Sequence, residues 1–317
     1  MKVGVALPQY DYSMAGEKPL LFDTIVACAA LAARRGADSV WLSDHLFLDL
    51  GKYGGASTRE MCFDPIVTLA ALARRVPDLR LGTLVLLEAL RPASILAKSL
   101  ATLDRVAGGR LDVGIGAGWY EPEYEAIGMA MPPPRERLDR LTGALTVVQD
   151  LIGDGTRNDP PALQQPRPRV LVGGKGNRLL RIAAEYADGW NTCWTWTPAA
   201  YAERVEVLER SCARVDRDPD SVWRTLGLYA LCGENETDLR RRFDRLRACS
   251  PAGVLDGVEL SQFRQGRLVG TVEEVREQLA TWSALGVETL ILGAGAVPFQ
   301  VGTFDDLELL LEVAAPA

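Results

Sequence analysis

The chain has 317 residues, 48% hydrophobic and 24% charged, with a formal charge of −7. That balance describes a globular protein with a large core and excludes a disordered or fibrous chain. The acidic total argues against a general nucleic-acid binder. No apolar run approaches the roughly 20 residues that cross a bilayer, and the chain starts directly on a strand pattern, so a cytoplasmic protein without membrane partners is expected.

Strand and helix patterns alternate from the start. Val3–Leu7 is an apolar run ended by Pro8, and Leu20–Arg35 carries apolar residues at helical spacing up to Gly36. Val40–Ser43 is the second strand. Asp64-Pro65 opens a helix through Arg75, with Asp as cap and Pro at its first position. Leu79–Leu87 is the third strand, Pro92–Val106 the third helix, and Leu111–Ile115 the fourth strand. After a proline stop at 132–134 comes a helix over Arg137–Leu151, then a polar, Pro-rich loop at Gly153–Pro168. The rhythm continues with strands at Val170–Val172, Trp190–Cys193, Thr225–Leu231 and Thr289–Leu292. Helices are expected at Asn177–Ala187, Pro198–Val215, Thr237–Arg247, Val272–Leu285 and Phe304–Val313. Ala252–Val269 reads as a looser insert.

Eight strand-like runs, each followed by a helix, predict a single (β/α)8 TIM barrel with loop insertions occupying 1–317. Their near-continuous apolar character suits parallel strands buried on both faces. A doubly wound sheet is the main alternative.

Barrels place their chemistry at the C-terminal ends of the strands. The only histidine, His45, stands there with Asp44, just after the second strand. A strand-end histidine often merely bonds a loop carbonyl. Its near-neutral pKa and the adjacent Asp44 favour an acid/base role, so His45 and Asp44 are the candidate catalytic residues. Gly116-Ala117-Gly118 follows the fourth strand without the spacing of a dinucleotide fingerprint, and reads as a backbone that a planar ring or its tail approaches closely. Val172-Gly173-Gly174-Lys175-Gly176 leaves the fifth strand and enters a helix, which gathers free N–H groups, a helix N-terminus and a cation into an anion site. Glu121 and Glu123 read first as residues facing a helix dipole, with a carboxylate on the active face as the sharper possibility. The tryptophans at 119, 190, 194 and 196 suggest an aromatic mouth. Six scattered cysteines without a C-x-x-C suggest neither a metal site nor disulfides.

Four stretches together resemble the bacterial-luciferase-like flavin and deazaflavin oxidoreductases. They are Ser43–Phe47; Ala101–Trp119 with Glu123, Tyr124 and Gly128; Val172–Gly174 with Tyr186–Asn191; and Val269–Val275 with Leu285–Val287. The branch most similar uses coenzyme F420, a 5-deazaflavin. That resemblance implies a hydride-transfer enzyme acting on a small molecule, in a homodimer, with a flavin or F420 reductase as indirect partner. It places Asp44 and His45 against the ring, puts a non-prolyl cis peptide within Thr83-Leu84-Val85 behind it, and gives the tail phosphate to the fourth-strand glycines and the Gly173-Gly174 turn. The acid residue that sugar-phosphate dehydrogenases of this branch carry at the fourth strand end is Trp119 here, and the first strand ends Leu7-Pro8-Gln9 without a glutamate, which disfavours a sugar phosphate. Two other functions remain open. One is a monooxygenase using reduced FMN and O2; the other is a barrel that binds a flavin without turnover.

Overall fold

A computed structural model describes residues 1–315. Its framework is β1 (Lys2–Ala6), β2 (Ser39–Leu42), β3 (Arg80–Thr83), β4 (Leu111–Gly116), β5 (Arg169–Gly173), β6 (Gly189–Trp194), β7 (Trp223–Gly233) and β8 (Thr289–Gly293). Neighbours pair in parallel in this order, and β8 returns to β1 with Thr289 opposite Lys2, so the sheet closes into an eight-stranded barrel. Around it stand α1 (Phe22–Arg34), α2 (Pro65–Leu72), α3 (Ala93–Val106), α4 (Pro134–Ile152), α5 (Asn177–Tyr186), α6 (Pro198–Ala213), α7 (Glu236–Cys249), α8 (Val272–Ala284) and α9 (Phe304–Ala314).

Local chemistry sets many of the boundaries. Asp64 accepts the Val67 N–H at 2.9 Å and Pro65 occupies the first position of α2. Thr271 and Glu274 form a reciprocal capping box on α8. Alternation along the strands sends one set of side chains outward and the other inward. Val40 and Leu42 of β2 join the large core between strands and helices, while Trp41 points into the barrel. There it lies 6.1 Å from Trp223, ring to ring. Gly4 and Gly82 on the flanking strands make the space: a Cβ at Gly82 would sit 2.1 Å from the Trp41 ring, and one at Gly4 2.6 Å from its indole nitrogen.

The structure departs from the sequence reading in several places. The third strand is not continuous: it breaks after Thr83 and resumes at Leu86–Leu87 against β4, and between them lies a non-prolyl cis peptide, Leu84–Val85, where the resemblance places one. A second non-prolyl cis peptide, Cys193–Trp194, lies at the end of β6. Prolines 132–134 do not hold α4 off until Arg137, because Pro134 occupies its first position, where a missing N–H costs nothing. A hairpin of Phe47–Asp49 with Arg59–Met61 and a short helix at Glu121–Ala126 were not foreseen. The insert before α8 is more ordered than expected, with a turn of helix at Leu260–Phe263 and a strand, Leu268–Thr271, added to the upper half of β7. Its tip meets the hairpin loop backbone to backbone, where a Cβ on Gly253 would fall 2.3 Å from the Gly54 carbonyl oxygen.

The Pro-rich loop is anchored from below by one buried carboxylate. Asp104, at the end of α3, accepts N–H bonds from Leu163 (2.8 Å), Gln164 (2.9 Å) and Leu111 (3.3 Å), and a fourth from the Gln164 side chain at 2.8 Å. Asp104→Ala leaves these donors unpaired and is expected to destabilise the fold by about 3 kcal/mol or more. Urea unfolding should show a lower midpoint with an unchanged slope.

Candidate active site

The C-terminal ends of the strands enclose a cavity of about 510 Å³, within the range typical of small-molecule sites. Its wall is built from the segments that follow β2 to β6, with Pro298 and Phe299 after β8.

The β2 segment is fixed by a buried glutamine. Gln9, just beyond β1, accepts the Ser43 N–H at 2.8 Å and donates its amide to the Ser43 and Phe63 carbonyls at 2.6 and 2.7 Å. Tyr10 adds a 2.6 Å bond between its hydroxyl and that of Ser43, and burial holds its phenol well above the ordinary range. The two residues after this clamp face different fates. Asp44 turns away from the cavity centre: it accepts the Leu87 N–H at 2.9 Å and a two-pronged ion pair from Arg91 at 2.6 and 3.1 Å. Burial raises the Asp44 carboxyl, with Arg91 pulling the other way. Its oxygens are thus engaged in bracing the loop after β3.

His45 is the more available group. Its Nδ1 lies 2.8 Å from one oxygen of Glu123, whose other oxygen accepts the Leu46 N–H at 2.6 Å. Glu123 is 1% exposed and stands on the short helix Glu121–Ala126. An ionised carboxylate only accepts, so Nδ1 carries the proton and Nε2 is left for whatever occupies the cavity. Glu123 is therefore more than a residue facing a helix dipole. Trp119 lies edge-on to the imidazole, with centroids 5.8 Å apart.

The opposite wall gathers donors. At the β5–α5 turn, Gly174 has φ +142°, a conformation that side chains rarely adopt. Its N–H donates to the Asn191 carbonyl at 2.9 Å, and its carbonyl accepts the Trp190 indole N–H at 2.7 Å. Gly176 stands at the cap position just before α5 and offers no side-chain cap, so the first N–H groups of that helix lack a side-chain partner. Lys175 beside it and Arg137 on α4 both line the cavity, and the Arg137 Nε is buried without a partner. Lys52, from the hairpin loop, completes a trio of cations. Among the described residues none of the three forms an ion pair. At the β5–α5 turn, the uncapped helix N–H groups, the orphaned Arg137 nitrogen and the Lys175 ammonium fit an anionic tail such as a phosphate.

Of the residues singled out from sequence, Asp44, His45, Leu84, Val85, Gly116, Ala117, Gly118, Gly173, Gly174, Lys175 and Gly176 line this cavity. Thr83 and Val172 lie behind it. Thr83 is fully buried, its hydroxyl bonded to the Gly114 carbonyl at 3.0 Å, and Val172 points into the outer core. The aromatic mouth is smaller than expected: Trp119 and Trp194 line it, whereas Trp190 and Trp196 pack around Tyr201 in the outer core. Arg91, Arg137 and Lys52 carry no sequence signal, because each acts through contacts made only on folding.

Residues 1–289 match the model of the family described as luciferase-like monooxygenase, and the chain belongs to that family. Among curated relatives, it is 26% identical over 237 residues to a phthiodiolone/phenolphthiodiolone dimycocerosates ketoreductase of Mycobacterium sp. (strain JLS). It is 27% identical over 212 residues to the pyrimidine monooxygenase RutA of Escherichia coli. The first alignment covers 67% of this chain and 62% of the relative, the second 62% and 53%, so the chain spans less than two thirds of either relative's length. Among solved structures, monooxygenase RslO1 from Streptomyces bottropensis superposes with a TM-score of 0.75 at 22% identity, covering 98% of both chains. An F420-dependent secondary alcohol dehydrogenase in complex with an F420-acetone adduct gives 0.73 at 17%, covering 99% of this chain and 98% of that one. These two likenesses establish the shared fold.

Because the chain contains a single histidine, imidazole ¹⁵N spectra report His45 without assignment work. The wild type should show the proton on Nδ1. In Glu123→Ala the ring loses that acceptor and the spectrum should move to the other tautomer or to an exchanging mixture. An unchanged spectrum would remove Glu123 from any role in orienting the ring.

Proposed function

We propose that this protein is an F420-dependent oxidoreductase that moves a hydride between the deazaflavin and a carbonyl or alcohol carbon of an organic substrate. The observation that carries this reading is the His45–Glu123 pair on the cavity wall. Reducing a carbonyl requires a proton for its oxygen, and oxidising an alcohol requires a base to take one away. Neutral His45, held by Glu123 through Nδ1, offers Nε2 as that base; protonated, it offers Nε2–H as the acid. The ketoreductase names of the first relatives support the same chemistry. When bound, the deazaflavin supplies the two-electron carrier.

The residues present suit such a group. Leu84, Val85 and the glycines after β4 offer an apolar surface for a flat ring, and the β5–α5 turn with Lys175 and Arg137 suits its phosphate. Asp44 acts as a positioning residue, since its ion pair with Arg91 and its bond to Leu87 N–H hold the loop after β3 beside the ring site. A reductase elsewhere would regenerate the carrier.

The second reading is a monooxygenase using reduced FMN. It is favoured by the likeness to a pyrimidine monooxygenase, and its cofactor also carries a phosphate on its tail. Titrating the protein with F420 and with FMN separates the two, because each ring has its own absorbance. Micromolar or tighter F420 binding with weaker FMN binding is expected; strong FMN binding with none to F420 would make the monooxygenase the better reading.

His45→Ala should lower turnover roughly 10²-fold or more while affecting cofactor binding less. Wild-type turnover in that variant would leave His45 a structural role only.

Gly174→Val tests the phosphate site. A branched side chain at φ +142° is strained and meets Leu179 at 3.1 Å. Binding of the full cofactor should fall strongly, while a fragment without phosphate should lose little. Lys175→Ala removes one flexible charge and should act more mildly. Equal losses for both ligands would count against a phosphate at this turn.

A further inference from the structure

The charges around the cavity do not balance. Its two carboxylates are already engaged, Asp44 by Arg91 and the Leu87 N–H, Glu123 by His45 and the Leu46 N–H. Its cations fall into two groups by origin. Lys175 and Arg137 flank the β5–α5 turn assigned above to the cofactor's phosphate. Lys52 comes from the other side of the sequence, on a single turn at Gly51–Tyr53 in the loop that follows His45.

The Lys52 ammonium lies 3.6 Å from the centroid of the Trp119 ring, and the Trp119 ring is in turn edge-on to His45. A cation over an indole is attracted by the electron-rich ring face, but it keeps three N–H donors. No protein acceptor within hydrogen-bond distance meets them among the described residues. Partial burial and the neighbouring Lys175 charge lower its pKa, so an arriving anion relieves both penalties. The cavity's lining includes the apolar side chains of Leu48, Tyr53, Trp194 and Phe299.

We propose that Lys52 is the anchor for an anionic group on the substrate, so that the cavity accepts an aromatic or otherwise apolar molecule bearing one carboxylate. This rests on the reading of the opposite wall as the cofactor's place. The anion sits at the Lys52 ammonium against the Trp119 indole, and the reacting carbon beside His45, which touches the same indole. Lys52 is in this sense a specificity-determining residue.

The test uses the whole protein and two probes of the same shape, 2-naphthoate and 2-naphthylmethanol. Calorimetry measures each alone and with saturating FMN or F420. The wild type should prefer the carboxylate by roughly fivefold or more, the upper end for a solvent-accessible ion pair. Lys52→Met should abolish that preference without weakening the alcohol, and Lys52→Arg should retain most of it. Lys175→Met should weaken cofactor binding and leave the preference in place. Equal affinities in the wild type, a preference that survives Lys52→Met, or expulsion of naphthoate by a saturating cofactor would each overturn the proposal. Failure of both cofactors to bind would overturn the reading of the opposite wall, while the probe preference would still decide the role of Lys52.

Discussion

Closing eight strands on themselves leaves an interior that side chains must fill, and here two indoles fill it. Trp41 and Trp223 lie side by side in the barrel, and their volume is admitted because Gly4 and Gly82 present no side chain to Trp41 and Gly189 none to Trp223. Everything on the ligand face is built above this plug. Each indole also anchors itself by its nitrogen, Trp41 to Ser39 at 2.9 Å and Trp223 to Thr289 at 3.2 Å, so neither buries an unpaired donor. The next residues up, Ser43 and the Gln9 clamp, therefore rest on a close-packed floor. The floor fixes where β2 ends and with it the aim of Asp44 and His45.

Above that floor, charge is sorted rather than simply present. The chain carries a net −7, yet its cavity keeps three cations without ion-pair partners and gives each of its carboxylates a donor set. Low-dielectric walls focus such a local excess, so an acidic protein can attract anions into one cleft. The sorting also explains why two adjacent residues of similar promise differ in use. Asp44 faces Arg91 and stabilises a loop; His45 faces Glu123 and keeps one nitrogen open.

Much of the architecture was legible in the sequence because parallel strands buried on both faces leave nearly unbroken apolar runs, as in Val3–Leu7 and Thr289–Leu292. Capping residues such as Asp64-Pro65 marked helix starts for an equally local reason. What stayed hidden depended on chain distance or on very short elements. The hairpin strands Phe47–Asp49 and Arg59–Met61 have three residues each, too few for a period to show. The partners of Asp44 and His45 lie 47 and 78 residues away, and nothing in a single sequence ties Arg91 or Glu123 to them. Tryptophans were also misplaced in part. Strand position alone could not tell that Trp190 would turn outward against Tyr201 while Trp194, four residues later, would face the ligand.

The contact between Gly54 and Gly253 joins two loops some two hundred residues apart in the chain, with backbone against backbone. No side chain stands between them to absorb a change: a Cβ at Gly253 would fall 2.3 Å from the Gly54 carbonyl oxygen, and one at Gly54 3.1 Å from the Gly253 carbonyl oxygen. The loop carrying Lys52 and the insert after α7 consequently form a single rim. A side chain at either glycine would push the two loops apart, and with them the turn that carries Lys52 over the cavity.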